Sequence, residues 1–251
     1  MIAAVACRGA VPGPGAAPSP APVDGPADAA APGGTADAGA GAPVDAAIDG
    51  PIDASRDAAV DAAVAPPPGW VDVPSLIPDA VVDIRYATTA NFTGVVLYPV
   101  ARCWLRPDAA ERLARAAAAL RAQGFRLILW DCYRPASVQR ALWAQVPDPR
   151  FVARPVFDDV GRPVSGSVHS RGLAVDVGLA DATGAVVPLP TAHDDFSAAA
   201  SGSAATGAAR ANHRALRAAM VGAGWKPLGS EWWHYEAAGA RRAPLADEPL
   251  R

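Results

Sequence analysis

The chain has 251 residues and a formal net charge of −3 at neutral pH. Its basic residues form no stripe, which excludes nucleic-acid binding driven by counterion release. No apolar run reaches the ~18 residues of a membrane-spanning helix.

Taken from the N-terminus, the chain falls into two parts. No Phe, Tyr or Trp occurs before Trp70. Residues 1–67 are Ala, Pro, Gly and Asp with scattered Val and Ile. Such a stretch cannot bury enough apolar surface to offset the entropy of ordering itself, so it reads as a disordered linker. Asp45, Asp49, Asp53, Asp57 and Asp61 recur every four residues. On a helix they would stack like charges, so a solvated spacer is the better reading. Cys7 closes A-V-A-C, which resembles the end of a bacterial lipoprotein signal. No charged segment precedes it, and an incidental cysteine is the alternative. The expectation is an exported protein, periplasmic or anchored as a lipoprotein through Cys7, with a cytoplasmic one as the alternative. A flexible chain of about 60 residues reaches roughly 40–45 Å, enough to stand a domain off a membrane.

Residues 68–251 read as one globular domain of ordinary size. V-V-D-I-R-Y, residues 81–86, is β-branched and alternating, and predicts a strand. Residues 87–94 are turn-rich. Asp108 with Glu111 predicts a capping box opening a helix through Leu113, Ala117 and Leu120, stopped by Gly124. F-R-L-I-L-W-D, residues 125–131, is an apolar strand, and Pro135 starts a short helix to about Gln145. Further expectations are a strand over 175–179, a turn over 181–184, a helix from about Ala208 to Val221 and a last strand over 232–236. The irregular alternation predicts an α+β fold, a helix facing a mostly antiparallel sheet. Cys103 and Cys132 remain as a pair: a disulfide if the protein is exported, two buried thiols if not.

Of the four histidines, His193 and His213 lie in polar surroundings and read as solvated surface side chains. His169 and His234 each stand beside a carboxylate and a bulky apolar strand, where an unpaired imidazole is unfavourable. Together with Asp176 they supply two nitrogens and an oxygen, leaving a fourth position for water, as an open catalytic zinc site does. A carboxylate that is not a ligand must then move the water's proton, and Glu231, three residues before His234, is placed for that. Residues three apart on a regular strand face opposite ways, so Glu231 is expected where the chain bends into the strand. Spacing alone makes this a weak metal signal. Arg134, between a strand end and a helix start, is placed to hold an anion or to form a surface ion pair.

Five segments in chain order strengthen the reading: D-I-R-Y-A-T-T-A-N-F-T-G, L-I-L-W-D-C-Y-R-P, S-V-H-S-R-G-L-A-V-D, H-D-D-F and E-W-W-H-Y. Together they resemble the bacterial D-alanyl-D-alanine dipeptidases, zinc peptidases within a superfamily of D,D-carboxypeptidases and hedgehog-like domains. The resemblance implies one Zn2+ on His169, Asp176 and His234, with Glu231 as general base. It implies that Arg134 stabilises the oxyanion, that Asp194 receives the substrate's amino group in a subsite lined by Tyr86, and that Ser167 contacts substrate. The implied substrate is D-alanyl-D-alanine. A peptidoglycan D,D-carboxypeptidase or endopeptidase, and a non-enzymatic zinc-binding module, are the alternatives. His193 departs from the family, which usually carries an aromatic residue before Asp194. The small-residue segment after it also departs from the family loop.

Overall fold

The structure is a computed structural model that describes residues 65–149 and 151–251. The expected linker over 1–67 and Cys7 lie, but for the last three linker residues, outside the described residues. Among the described residues no helix is long and apolar enough to cross a membrane.

The strands are β1 (Val71–Asp72), β2 (Val81–Val82), β3 (Trp104–Leu105), β4 (Arg126–Asp131), β5 (Val156–Phe157), β6 (Pro163–Ser165), β7 (Ala174–Ala180), β8 (Trp225–Pro227) and β9 (His234–Ala237). The helices are α1 (Val73–Leu76), α2 (Pro107–Arg121), α3 (Ala136–Gln145) and α4 (Gly207–Gly222). A five-stranded sheet in the order β2-β4-β7-β9-β8 forms the centre, and β1-β3 and β5-β6 make two small antiparallel pairs. Only the β2–β4 pairing of the central sheet is parallel. The expected α+β class with a mostly antiparallel sheet is what the chain forms.

β7 is the middle strand and β4 lies beside it inside the sheet, and their apolar residues are buried without alternation because both faces are covered. α2 and α4 pack together against this sheet. α2 presents Leu113, Ala116, Ala117 and Leu120, and α4 presents Leu216, Ala219 and Met220. These are the i, i+3, i+4 spacings that give a helix one apolar face.

Three local expectations need correction. The strand expected over 81–86 ends at Val82, and Arg85–Ala87 turn into a 3-10 helix. The Tyr86 carbonyl there accepts from the amides of both Leu97 and Tyr98, so the backbone closes a loop instead of extending the sheet. Helix α2 has no capping box. It begins at Pro107, with Arg106 before it and no side-chain cap. A proline in the first turn has no N–H to satisfy and a φ already helical, so the start lies upstream of Asp108. Asp108 instead accepts from Arg112 one turn on, at 2.9 Å. The last strand starts at His234, because Trp232 and Trp233 form a turn.

Candidate active site

The site is written in the sheet register. Asp131 of β4 faces Asp176 of β7, and Asp176 faces His234 of β9. Directly paired residues on neighbouring strands point to the same side of the sheet, so three polar groups far apart in the chain form one row. A register shift between Leu129 and Asp131 turns the end of β4 into that row. His169 reaches the same point from a 3-10 turn, His169–Arg171, closed by Gly172 in the left-handed region at φ +66°. A side chain at Gly172 would also strike the Trp70 ring, 2.2 Å from where its Cβ would stand.

His169 Nε2, His234 Nδ1 and Asp176 Oδ1 converge. They stand 3.2 Å (His169–His234), 2.9 Å (His234–Asp176) and 3.4 Å (His169–Asp176) apart. Tetrahedral ligands on bonds of 2.0–2.2 Å stand roughly 3.3–3.5 Å from one another, so this trio fits a Zn2+ after a shift of a few tenths of an ångström. All three residues are buried. The outer contacts also fit. His169 Nδ1 lies 2.8 Å from the Cys132 carbonyl, so this nitrogen carries the proton and leaves Nε2 free to bind metal. His234 Nε2 lies 3.7 Å from Glu236, and Arg241 holds that carboxylate at 2.9 and 2.6 Å.

The electrostatics ask for a cation. Burial disfavours a charge on His234, but hydrogen bonds to Asp176 and Glu236 and the charge of Asp176 win, lifting it to about 10. Burial likewise penalises the Asp176 carboxylate, yet His169 and the hydrogen bonds from His169, His193 and His234 hold it well below the usual range. A metal ion supplies that positive charge without a proton.

All eight residues expected at the site, from Tyr86 to His234, line one cavity of about 420 Å³. Glu231 precedes the Trp232–Trp233 turn, at the expected bend into β9. Burial raises the Glu231 carboxyl, the charges of Asp176 and Asp194 add to the rise, and His234 and His169 oppose it. Ser167 Oγ accepts from the His169 amide at 3.2 Å, steadying the turn that carries the ligand.

Arg134 is not a surface ion pair. It is 8% exposed, and Asp131 Oδ2 accepts from its Nε at 3.0 Å and its Nη2 at 2.5 Å. Gln139 Oε1 accepts from Nη1 at 2.7 Å. The guanidinium also stands over the Tyr86 ring, 5.0 Å from its centroid. Asp131 spends its other oxygen on the Tyr98 hydroxyl at 2.5 Å and the Cys132 amide at 2.9 Å. Sequence reasoning missed Asp131 because it reads as the polar end of a strand. Its spacing from Arg134 was the available signal.

The Tyr86 hydroxyl donates to Asp194 Oδ2 at 3.1 Å. Asp194 has φ +59°, the one non-glycine in the left-handed region among the described residues. Such strain persists where the surroundings over-determine it, commonly at ligand sites. Burial raises the Asp194 carboxyl and Asp176 adds to this, against the lowering effects of His193, Arg134 and Tyr86.

His193 is a correction. Its side chain is only 3% exposed, with Nε2 3.4 Å from Asp176 and Nδ1 3.4 Å from Asp194. The imidazole stacks on Trp130, with centroids 5.1 Å apart at 27°. Burial within a protein face built by other elements is not visible in a T-A-H-D-D-F loop. His213 lies outside the site, half-buried with its ring edge to Trp232. Cys103 and Cys132 are joined as a disulfide, both fully buried.

The family pattern described as D-Ala-D-Ala dipeptidase matches residues 68–249. The D-alanyl-D-alanine dipeptidase of Escherichia coli K12 is 36% identical over 177 residues, covering 70% of this chain and 88% of that one. That of Enterococcus faecium is 34% identical over 183 residues, covering 66% and 86%. That of Streptomyces coelicolor is 33% identical over 171 residues, covering 61% and 83%. With a buried trio that could hold a metal ion and matches of this extent, the chain belongs to the D-Ala-D-Ala dipeptidase family.

Proposed function

We propose that the chain is a zinc-dependent dipeptidase that hydrolyses D-alanyl-D-alanine to two D-alanines. The observation that carries this is one cavity lined both by the metal trio and by a partly buried acid, Asp194, held by the Tyr86 hydroxyl. When bound, Zn2+ would supply an acidified water and a polarised scissile carbonyl. The remaining work falls to side chains. Glu231, not needed as a ligand, takes the water's proton and passes it to the departing amine, and its raised affinity for protons suits that exchange. Arg134, rigidly held by Asp131 and Gln139, presents fixed positive charge to the oxygen on which negative charge develops. Asp194, oriented by the Tyr86 hydroxyl, pairs with the substrate's ammonium. A longer N-terminal extension would have no ammonium at that place and would leave Asp194 without its partner. Ser167 lines the same cavity and touches substrate in this reading.

The test is D-alanine release by the purified, zinc-loaded chain. We expect release from the dipeptide, lost on chelation and in Glu231→Ala. No release by the wild type refutes the reading. Faster turnover of a stem pentapeptide than of the dipeptide favours the carboxypeptidase alternative. Zinc binding without any hydrolysis favours the non-enzymatic module. Export is proposed alongside, supported by the buried disulfide, since such bonds persist in oxidising compartments. A lipid anchor on Cys7 would complete that picture, and mass spectrometry of the mature N-terminus from the native host decides it.

A further inference from the structure

We propose that His193 is a positioning residue that sorts the oxygens of two carboxylates, one at the metal and one at the amine subsite. The inference rests on the dipeptidase reading for its second half and on geometry alone for its first. Asp176 turns Oδ1 toward His169 and His234, and its other oxygen, Oδ2, meets His193 Nε2 at 3.4 Å. Asp194 turns Oδ2 toward Tyr86 at 3.1 Å and toward His193 Nδ1 at 3.4 Å. One imidazole therefore stands between the two acids and occupies the oxygen that each does not use for its ligand. Asp176 Oδ1 stays on the metal position, and Asp194 Oδ1 is left for the ammonium.

The ring is held for this role. Trp130 stacks beneath it at 5.1 Å, and Trp233 meets it edge-on at 5.6 Å. Trp130 is itself fixed through its indole N–H, which donates to Asp83 at 3.2 Å. An aromatic hydrocarbon ring in this box would fill the same space, but it has no nitrogen to offer either acid. Asp194, whose backbone stands at φ +59°, would then lose one of the two side-chain contacts on its Oδ2. Asp176 would lose an outer partner of the kind whose removal commonly costs 10–100-fold in metal affinity.

The experiment compares full-length wild type with His193→Phe and His193→Gln. Zinc affinity is measured by chelator competition. Hydrolysis of D-Ala-D-Ala is compared with that of its Nα-acetyl derivative, which has no ammonium for Asp194. Thermal unfolding checks that all three are folded. We expect His193→Phe to bind zinc about 10–100-fold more weakly. We expect its preference for the free-amine substrate to fall at least ~10-fold through KM, the worth of one charge-assisted hydrogen bond. Glutamine carries two amide N–H groups and is expected to restore most of both. The proposal is overturned if His193→Phe stays near wild type in zinc affinity and in amine preference. It is also overturned if Phe and Gln lose both equally, because that marks a packing role, or if zinc affinity falls while amine preference holds. Should the wild type release no D-alanine, the dipeptidase reading fails, and zinc affinity across the three proteins still decides the metal half.

Discussion

Replacing Asp131 by Asn tests whether the site depends on a buried ion pair. Asp131 is fully buried and accepts four hydrogen bonds, two on each oxygen. Asn keeps the shape but has only one acceptor oxygen. If that oxygen stays with Tyr98 and the Cys132 amide, an NH2 group faces the Arg134 guanidinium, donor against donor. If it flips, Arg134 keeps a neutral acceptor, but the Cys132 N–H loses its own. Either way Arg134 is left buried without a counter-charge, a loss of about 3–5 kcal/mol. For a domain of this size that corresponds to a fall in Tm of about 6–20 °C. Calorimetry or a urea titration reads it. A second variant, Asp131→Asn with Arg134→Met, removes both charges and should recover much of the lost stability, since no uncompensated buried charge remains. A single variant within about 1 kcal/mol of wild type would refute the reasoning. So would a double variant less stable than Asp131→Asn alone.

The remaining predictions concern the disulfide, a glycine and an exposed ion pair. Cys103 and Cys132 are 29 residues apart, and the chain-entropy relation makes their bond worth about 3.6 kcal/mol. Reduced protein should therefore unfold at a urea midpoint lower by roughly 2 M, for a slope near 2 kcal/mol per molar; equal midpoints with thiols shown to be free would contradict this. Gly178→Ala puts a Cβ 2.3 Å from the Trp130 ring, backbone-fixed against a buried indole. A cost of about 1–3 kcal/mol is expected, with a raised KM because the ring under His193 must move, and unchanged melting would show the space to be softer than drawn. Arg121 donates to Asp79 and lowers that carboxyl below its ordinary value. Its contribution is therefore present at neutral pH and lost as acid protonates Asp79 below pH ~4. With both partners substantially exposed, Asp79→Asn should cost at most about 1 kcal/mol at pH 7 and nothing at pH 2, read by urea titration at each pH.

Much of this architecture is legible in the chain because its signals are local. The apolar stripe of α4, the continuous apolar run of β4 and the stop at Gly124 all depend on residues within one element, and all fall within a residue or two of expectation. The errors arise where a distant partner decides. Residues 81–86 have strand chemistry, but the Tyr86 carbonyl is taken by two amides eleven and twelve residues on, so the strand stops after two residues. His193 has the neighbours of a surface loop, and distant partners make it interior, Trp130 from β4, Asp176 from β7 and Trp233 before β9 among them. Gly178, also on β7, contributes by carrying no side chain where the indole lies.

The metal trio shows why motif and fold reinforce each other here. His169 and Asp176 are seven residues apart in the chain, and their approach needs only one 3-10 turn and the Gly172 that ends it. His234 comes 58 residues after Asp176, and nothing local brings it back. The β7–β9 register does, by pairing Asp176 with His234. Since side chains alternate along a strand, a slip of one residue would turn His234 away and put Tyr235 in its place. The apolar partners of that register guard against the slip. Val175 pairs with Tyr235, both fully buried on the opposite face, so a shift that lost the metal would also carry a phenol out of the core and an imidazole into it. The same hydrophobic alternation that holds the sheet together thus holds the third ligand in line with the other two.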